Sequence, residues 1–540
     1  MLKKWWHNKV VYQIYPKSFN DHNNDGIGDI LGIVDKLDYL KELGVDIIWL
    51  TPHYKSPMED NGYDVADYYH VNDIFGTDED MDLLLEECKK RNMYIMMDIV
   101  ANHTSSQHEW FKQSLKGKDN PYRDYYVWRD EPLFNYHSVF GGSAWKYDEN
   151  SKQYYLHQFA EGQPDLNWEN PKVLDEMAAC INYWLKKGVK GIRFDVIHLI
   201  GKAVDQNILG YGPTLHQKVH ELYEKSYGKY DVVTVGEAWG DLDKAIEFTN
   251  PKHEELDMVF QFECTSSNWS SDRLGKYNPH EMDMEHVKHT LIKYQNGLNE
   301  LSWNALFVEN HDLARSVNKF GSLKYHKESA KAIATMNFLL KGTPYIYQGQ
   351  EIGMCNIKMD CIDEYDDVEV HNSYKDFVIN NKLMSHEQFL DGCNKESRDN
   401  ARTPMQWDNS INAGFNKGHK TWLKVNPNYK QINVKEQSID ENSILNYYKK
   451  LLKVRKDEKY SDIFVYGDFK AINADIKNIF VYTRNYNNES IAVVVNMKDN
   501  VENVTLPFKV NNLILSNYYK KYDNTNVLSL QPYETLVFKI

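Results

Sequence analysis

No run of about 18 consecutive apolar residues occurs in the 540-residue chain, which leaves no candidate for a membrane-spanning helix. The N-terminus, MLKKWWHNKVVYQIYP, is basic but lacks an apolar core and a small-residue cleavage site, so no signal peptide is expected. Paired cysteine motifs are missing too: Cys88, Cys180, Cys264, Cys355, Cys361 and Cys393 form no CxxC and no zinc-like spacing. Cys355 and Cys361 are near enough in sequence for a clip, but free thiols in a reducing cytoplasm are the default. There is no basic excess: the net charge of −15 argues against nucleic acid as the main partner, because phosphate binding needs a basic surface. These absences suggest a cytoplasmic monomer acting on a small neutral or polar molecule. The 38 Tyr and 13 Trp suit stacking on sugars and equally suit a large core.

What the sequence does contain is a rhythm. Apolar runs recur at VVYQIYP (10–16), DIIWL (46–50), MYIMMDIV (93–100), GIRFDVI (191–197), DVVTVGEA (231–238), MVFQFEC (258–264), NALFVEN (304–310) and TPYIYQGQE (343–351). Between them lie helical spacings, as in ILGIVDKLDYLKELG (30–44), DEDMDLLLEECKKRN (78–92), VLDEMAACINYWLKKG (173–188) and ESAKAIATMNFLLKG (328–342). Gly44, Gly188 and Gly342 are placed as helix stops. Eight strands alternating with helices predict an α/β fold, a (β/α)8 TIM barrel. The doubly wound rival normally offers a glycine-rich phosphate loop after its first strand, and none is present. Residues 104–172 break the rhythm, as a subdomain inserted after strand 3 would. Residues 1–103 and 173–465 would then form the barrel. After residue 460 the short alternating runs DIFVYGDF, NIFVYTRN, IAVVVNM, NVTLPF and LVFKI predict a C-terminal antiparallel β-sandwich over 466–540.

Barrel chemistry sits at strand C-termini. There the chain would place Asp98 and His103 on the third strand, Arg193 and Asp195 on the fourth, Glu237 on the fifth, and His311 and Asp312 after the seventh. Each alone could be a solvated charge. Four carboxylates at the same end of separate strands point to a site. Two carboxyl groups, one ionised and one protonated, are the equipment for glycoside hydrolysis. Arg193, two residues from Asp195 and on the same side of the strand, would keep Asp195 ionised as a nucleophile. Glu237, beside apolar Ala238 and Trp239, could stay protonated as the acid. A metal is the rival use of Asp and His, but no HExxH-like spacing is present. A second cluster, DHNNDGIGD (21–29), offers Asp21, Asn23, Asp25 and Asp29 as oxygen donors, with the Ile27 carbonyl. That alternation matches a calcium loop, here a structural Ca2+ site, as well as an Asx-rich turn.

DIVANH (98–103), GIRFDVIH (191–198), VGEAW (235–239) and FVENHD (307–312) together resemble, in order, the four sequence regions of the α-amylase family of glycoside hydrolases. QPDLNW (163–168), DNGYD (60–64) and RDNARTPMQW (398–407) resemble its oligo-1,6-glucosidase group. YYLHQFAEGQPDLNWENP, GYGPTLHQKVHEL and DMVFQFE are most similar to the glucan 1,6-α-glucosidase branch. The resemblance implies Asp195 as nucleophile, Glu237 as general acid/base and Asp312 as the carboxylate that stabilises the transition state. It further implies that Asp60, Tyr63, His103, Arg193, His311 and Arg398 hold a glucose unit, that Asp98 supports them, and that the 21–29 loop binds Ca2+. Val196 goes with α-1,6 linkages in this group, and Lys276 falls near a lysine that meets the leaving sugar. Val308, Glu309 and His198 depart from the usual pattern and are expected to alter the leaving-sugar side. The implied activity is a retaining, exo-acting α-1,6-glucosidase on small oligosaccharides. Trehalose-6-phosphate hydrolysis and sucrose isomerisation or glucosyl transfer are the alternatives.

Overall fold

A computed structural model describes residues 3–299, 302–418, 420–520, 522 and 524–540. Eight parallel strands form its central sheet: β1 (Val11–Ile14), β2 (Ile47–Leu50), β3 (Tyr94–Val100), β4 (Gly191–Asp195), β5 (Val233–Glu237), β6 (Met258–Phe260), β7 (Ala305–Leu306) and β8 (Thr343–Tyr347). Their order is β6-β5-β4-β3-β2-β1-β8-β7, the sequence order of a barrel. The two end strands approach through the rings of Phe260 and Phe307, 5.0 Å apart.

A parallel strand covered on both faces must be apolar on both, and the two-residue period separates them. Ile48, Leu50, Ile95, Met97, Ile192 and Phe194 pack outward against helices. Val11, Ile47, Trp49, Met96, Val233, Val235, Met258 and Phe260 fill the interior. Continue the interior phase one step toward the strand C-termini and Met96 leads to Asp98, while Val235 leads to Glu237. The charges therefore sit inside the barrel, above an apolar floor.

The helices follow the expected pattern with two differences. Gly188 ends Pro171–Lys187 with φ 106°, a left-handed position that glycine adopts without strain. The 30–44 stretch is two helices, Ile30–Val34 and Leu37–Leu43; the Asp29 side chain caps the first by accepting from the Gly32 amide. The helix His326–Phe338 stops short of Gly342. Its terminal carbonyls are taken by buried arginines instead: Arg455 donates to Phe338 and Leu340, and Arg484 to Leu339.

Between β3 and Pro171–Lys187 lie the helix Glu109–Ser114 and a three-stranded sheet of Trp128–Arg129, Gln153–Leu156 and Trp145–Asp148. At the C-terminus a five-stranded antiparallel sheet faces the pair Glu502–Val510 and Thr525–Leu530. Val481, Val494, Leu506, Leu528 and Phe538 are buried between them, which makes the sandwich. The run DIFVYGDF is not the strand expected of it. Ser461–Tyr466 is helical, and only Asp468–Ala471 is extended. Val465 from that helix packs into the barrel floor, so tertiary burial overrides β propensity. All six cysteines are free thiols, and Cys355 and Cys361 are not joined. No helix among the described residues is long and apolar enough to cross a membrane.

Arg484 belongs to the C-terminal sheet yet serves the carbonyls of Leu339 and Gly467. Replacing it by Leu leaves these buried acceptors unpaired, at a cost of about 1–3 kcal/mol each. Thermal unfolding of Arg484→Leu should show a lower midpoint; an unchanged midpoint would contradict the assigned role.

Candidate active site

Arg193 is the centre of the polar layer. One guanidinium nitrogen donates to Asp98 at 2.7 Å and to Asp195 at 2.8 Å, and the other donates to Glu237. The four side chains arrive from β3, β4 and β5, so sheet register alone brings them together: Asp98 stands opposite Arg193 across the β3–β4 ladder. Sequence spacing assigned Arg193 to Asp195 alone; the structure makes three carboxyl groups share it. Burial pushes the Asp195 carboxyl well up, Arg193 pulls it back, and Glu237, Asp98 and Asp312 push it up again. Burial raises Asp98 as well. One positive charge cannot neutralise three buried carboxylates, so the cluster retains a proton.

Second contacts orient the cluster. Asp98 accepts from the Trp49 indole at 3.1 Å and the Tyr63 hydroxyl at 3.0 Å. Glu237 accepts from the Trp239 indole at 2.8 Å. Trp239 is thus a hydrogen-bond donor to Glu237 rather than only an apolar neighbour. Its ring stacks on Phe262 at 4.1 Å.

The β7 side contributes His311 and Asp312. Gln13 donates to His311 Nδ1 at 2.7 Å, which leaves the Nε2 hydrogen facing Asp312 at 2.9 Å. Burial lowers the His311 imidazole. Burial would raise Asp312, but His311, Arg398 and Arg402 hold it well below the usual carboxylate range. Tyr63 lies flat against His311, centroids 5.1 Å apart. Arg398 reaches Asp60 at 3.0 Å and is anchored by Asp367, a residue the sequence reading missed. Burial raises the Asp60 carboxyl to about 6. Gln163 bridges Asp60 and His103, at 3.0 and 3.2 Å. Burial holds His103 neutral, at about 4.

These groups line one cavity of about 420 Å3, with Asp60, Tyr63, His103, Asp195, Val196, Glu237, His311, Asp312 and Arg398 on its wall. Arg193 and Asp98 lie behind the wall, holding it. Val196 has φ 32° and ψ 45°, a left-handed conformation that is costly for a β-branched residue, by about 1–3 kcal/mol. That bend ends the strand at Asp195 and turns the Val196 side chain into the cavity. His198 lines the cavity too, its ring 5.1 Å from Tyr211, and burial keeps it neutral at about 4. Val308 and Glu309 do not line it. Val308 is core, and Glu309 accepts from Arg315 at 2.7 Å and from the Ser316 amide at 2.8 Å, so their departure is structural. Lys276 is on the wall and pairs with Glu369 at 2.6 Å. Glu369 had no sequence signal beyond its charge, because its partners lie tens of residues away; Arg402 lies within RDNARTPMQW, but its role beside Asp312 was not assigned.

The 21–29 loop is a series of Asx turns. Asp21 accepts from the amides of Asn24 (2.6 Å) and Gly26 (2.8 Å), Asn23 from Asp25, and Asp25 from Ile27 (both 2.9 Å). Asp29 accepts from His22 at 3.0 Å and Asn23 at 3.2 Å. Asp21 Oδ2 already accepts from Gly26 and Asn416, and Asp29 Oδ2 from His22 and Asn23, so a cation would displace some of these bonds; the donors are all hard oxygens, which suits Ca2+. Among the described residues no three His, Cys, Asp or Glu side chains come together for a metal, so a cation here needs Asn23 and the Ile27 carbonyl as well.

Removing the shared cation should expose the strain in the polar layer. Arg193→Met leaves three carboxyl groups buried without a counter-charge, costing about 3–5 kcal/mol at pH 7. Protonation relieves the repulsion, so part of the loss should be regained at pH 5 in thermal unfolding. A loss independent of pH would contradict the shared-charge account.

The comparisons agree with this geometry. The alpha-amylase catalytic domain matches residues 13–467, and the alpha-amylase SusG C-terminal domain matches 479–537. The chain is 46% identical, over all of both chains, to the oligo-1,6-glucosidase of Parageobacillus thermoglucosidasius. It is 45% identical to the glucan 1,6-alpha-glucosidase of Streptococcus pneumoniae, with 96% of each chain covered. The crystal structure of isomaltulose synthase from Erwinia rhapontici NX5 superimposes with a TM-score of 0.95 at 42% identity, covering 100% of this chain and 99% of that one. With its barrel, its rim of paired charges and its C-terminal sandwich, the chain belongs to the alpha-amylase family.

Proposed function

We propose that the protein is a retaining, exo-acting α-glucosidase that cleaves α-1,6 bonds of small isomaltooligosaccharides from the non-reducing end. The observation that carries this reading is the single guanidinium shared by Asp195 and Glu237, with Asp312 on the same cavity wall. Asp195 attacks the anomeric carbon while Glu237 gives its proton to the departing glycosidic oxygen. The glucosyl–Asp195 ester is then opened by water, whose proton returns to Glu237. Two ionised carboxylates and one proton are what a cluster of three carboxyls and one arginine can hold. Asp312, kept ionised by its cations, faces the positive charge that develops on the sugar. Asp60 and Arg398, with His103, His311 and Tyr63, would hold the glucose hydroxyls, and their buried ion pair would block a longer glucan from running through.

Linkage preference rests on Val196 in the wall and on the names of the two relatives. A phosphate-bearing substrate would need a free cation. Among the lining residues, however, Arg273, Lys276 and Arg398 are each already paired, with Asp376, Glu369 and Asp60. That speaks against trehalose 6-phosphate. The six free thiols suit a reducing cytoplasm.

The test is hydrolysis of isomaltose, isomaltotriose, maltose, sucrose and trehalose 6-phosphate, with the product anomer followed by NMR. Isomaltose and isomaltotriose should be the best substrates, with α-glucose appearing first. β-Glucose appearing first would overturn retention, and a preference for maltose or trehalose 6-phosphate would overturn the linkage. Asp195→Asn should fall below about a thousandth of wild-type turnover while keeping its fold.

A structural Ca2+ in the 21–29 loop is part of the same proposal, supported by the all-oxygen donor set. Asp21, Asn23, Asp25, Asp29 and the Ile27 carbonyl would hold it, tying the loop that follows β1 to Asn416 through Asp21. Adding Ca2+ to chelated protein should raise the thermal midpoint, and Asp21→Ala should abolish that rise. An equal rise in the variant would remove the site.

A further inference from the structure

Three segments far apart in sequence form the outer wall of the cavity. Val139 and Phe140 come from the inserted segment, Arg273 to Tyr277 from the loop after β6, and Ser373 and Phe377 from the helical stretch after β8. They meet at one carboxyl group that does not itself line the cavity. Asp376 sits on a π-helical turn, Lys375–Asn380, and is 5% exposed. Its Oδ2 accepts from Arg273 Nη2 at 2.6 Å and from the Gly142 amide at 3.3 Å, while Asn381 donates to its Oδ1. The guanidinium of Arg273 lies 5.7 Å from the Phe377 ring.

The local chain conformations are adapted to this meeting point. Gly141 and Gly142 have φ of 91° and 79°, open to glycine at little cost. A Cβ on Gly141 would lie 3.3 Å from the Asn372 carbonyl oxygen, a tight contact, and 3.4 Å from the Asp376 Cβ, so the close approach of the inserted segment favours glycine there. The π turn, a rare deviation that concentrates at functional sites, places Asp376 and Phe377 on adjacent positions, one toward the staple and one toward the cavity.

We propose that Asp376 is a positioning residue that staples the three walls and so sets the shape of the leaving-sugar side, where units beyond the first glucose must fit. It acts through Arg273, Phe377 and the 139–142 turn and touches no substrate. The inference rests on the glucosidase reading of the same cavity and deepens it by naming a determinant of substrate length.

The test separates the two halves of the cavity. In Asp376→Ala the Gly142 amide and Arg273 lose their partner and the wall loosens. KM for isomaltotriose should rise about tenfold with kcat within about twofold of wild type. The inhibition constant of 1-deoxynojirimycin, which fills one glucose position only, should stay unchanged. Asp376→Asn keeps an oxygen for the Gly142 amide but loses the charge facing Arg273, so its KM should fall between the two; it also serves if the alanine variant fails to fold. An unchanged KM, or KM and the inhibition constant rising together, would overturn the staple. Were another oligosaccharide the better substrate, the same split would be read on it, so failure of the linkage assignment is distinguishable from failure of the staple.

Discussion

A single buried positive charge organises this molecule. Arg193 enters the barrel on β4 and binds carboxyl groups from β3, β4 and β5, so three strands are tied by electrostatics as well as by their ladder. An unpaired charge in that position would be costly, and so would the carboxylates without it. The arrangement is stable only as a unit. As a unit it sets three acids and one cation beside a cavity, and burial with mutual repulsion pushes the Asp195 and Asp98 carboxyls up.

The same logic extends outward along the rim. His311 and Asp312 are held by Gln13, Arg398 and Arg402, and Arg398 is held in turn by Asp60 and Asp367. Each carboxylate has a cation and each cation a carboxylate, so charge is poised without a free cationic patch. The apolar floor of Trp49, Met96, Val235 and Phe260 beneath them excludes water and strengthens every one of these interactions. Stability and chemistry are therefore layered: the packed half of the barrel permits the charged half to exist.

Much of this was legible in the chain itself. The two-residue period of GIRFD placed Arg193 and Asp195 on one side, and the recurrence of carboxylates at strand ends pointed to a common rim. Illegible were the pairings whose partners are remote in sequence, Asp367 with Arg398 and Gln163 with His103, and the indole hydrogen bond by which nearby Trp239 serves Glu237. DIFVYGDF misled because its β-branched and aromatic residues serve a buried helix equally well, and the choice was made by the barrel floor that Val465 fills. Glu309 misled in another way. It lies next to Asn310 and His311, yet its side chain turns to Arg315 and leaves the cavity untouched.

The sequence by itself determined the alternation of strands and helices, the rim on which the acids gather, and the family they signify, because these depend on periodicity and on residue type at fixed spacing. Only the tertiary structure decided who shares Arg193, why Val196 bends left-handed, and which wall each aromatic joins. Those outcomes depend on distances between residues that are mostly tens to hundreds of positions apart, and on the low dielectric that burial creates around them. Neither quantity is written in any local stretch of the chain.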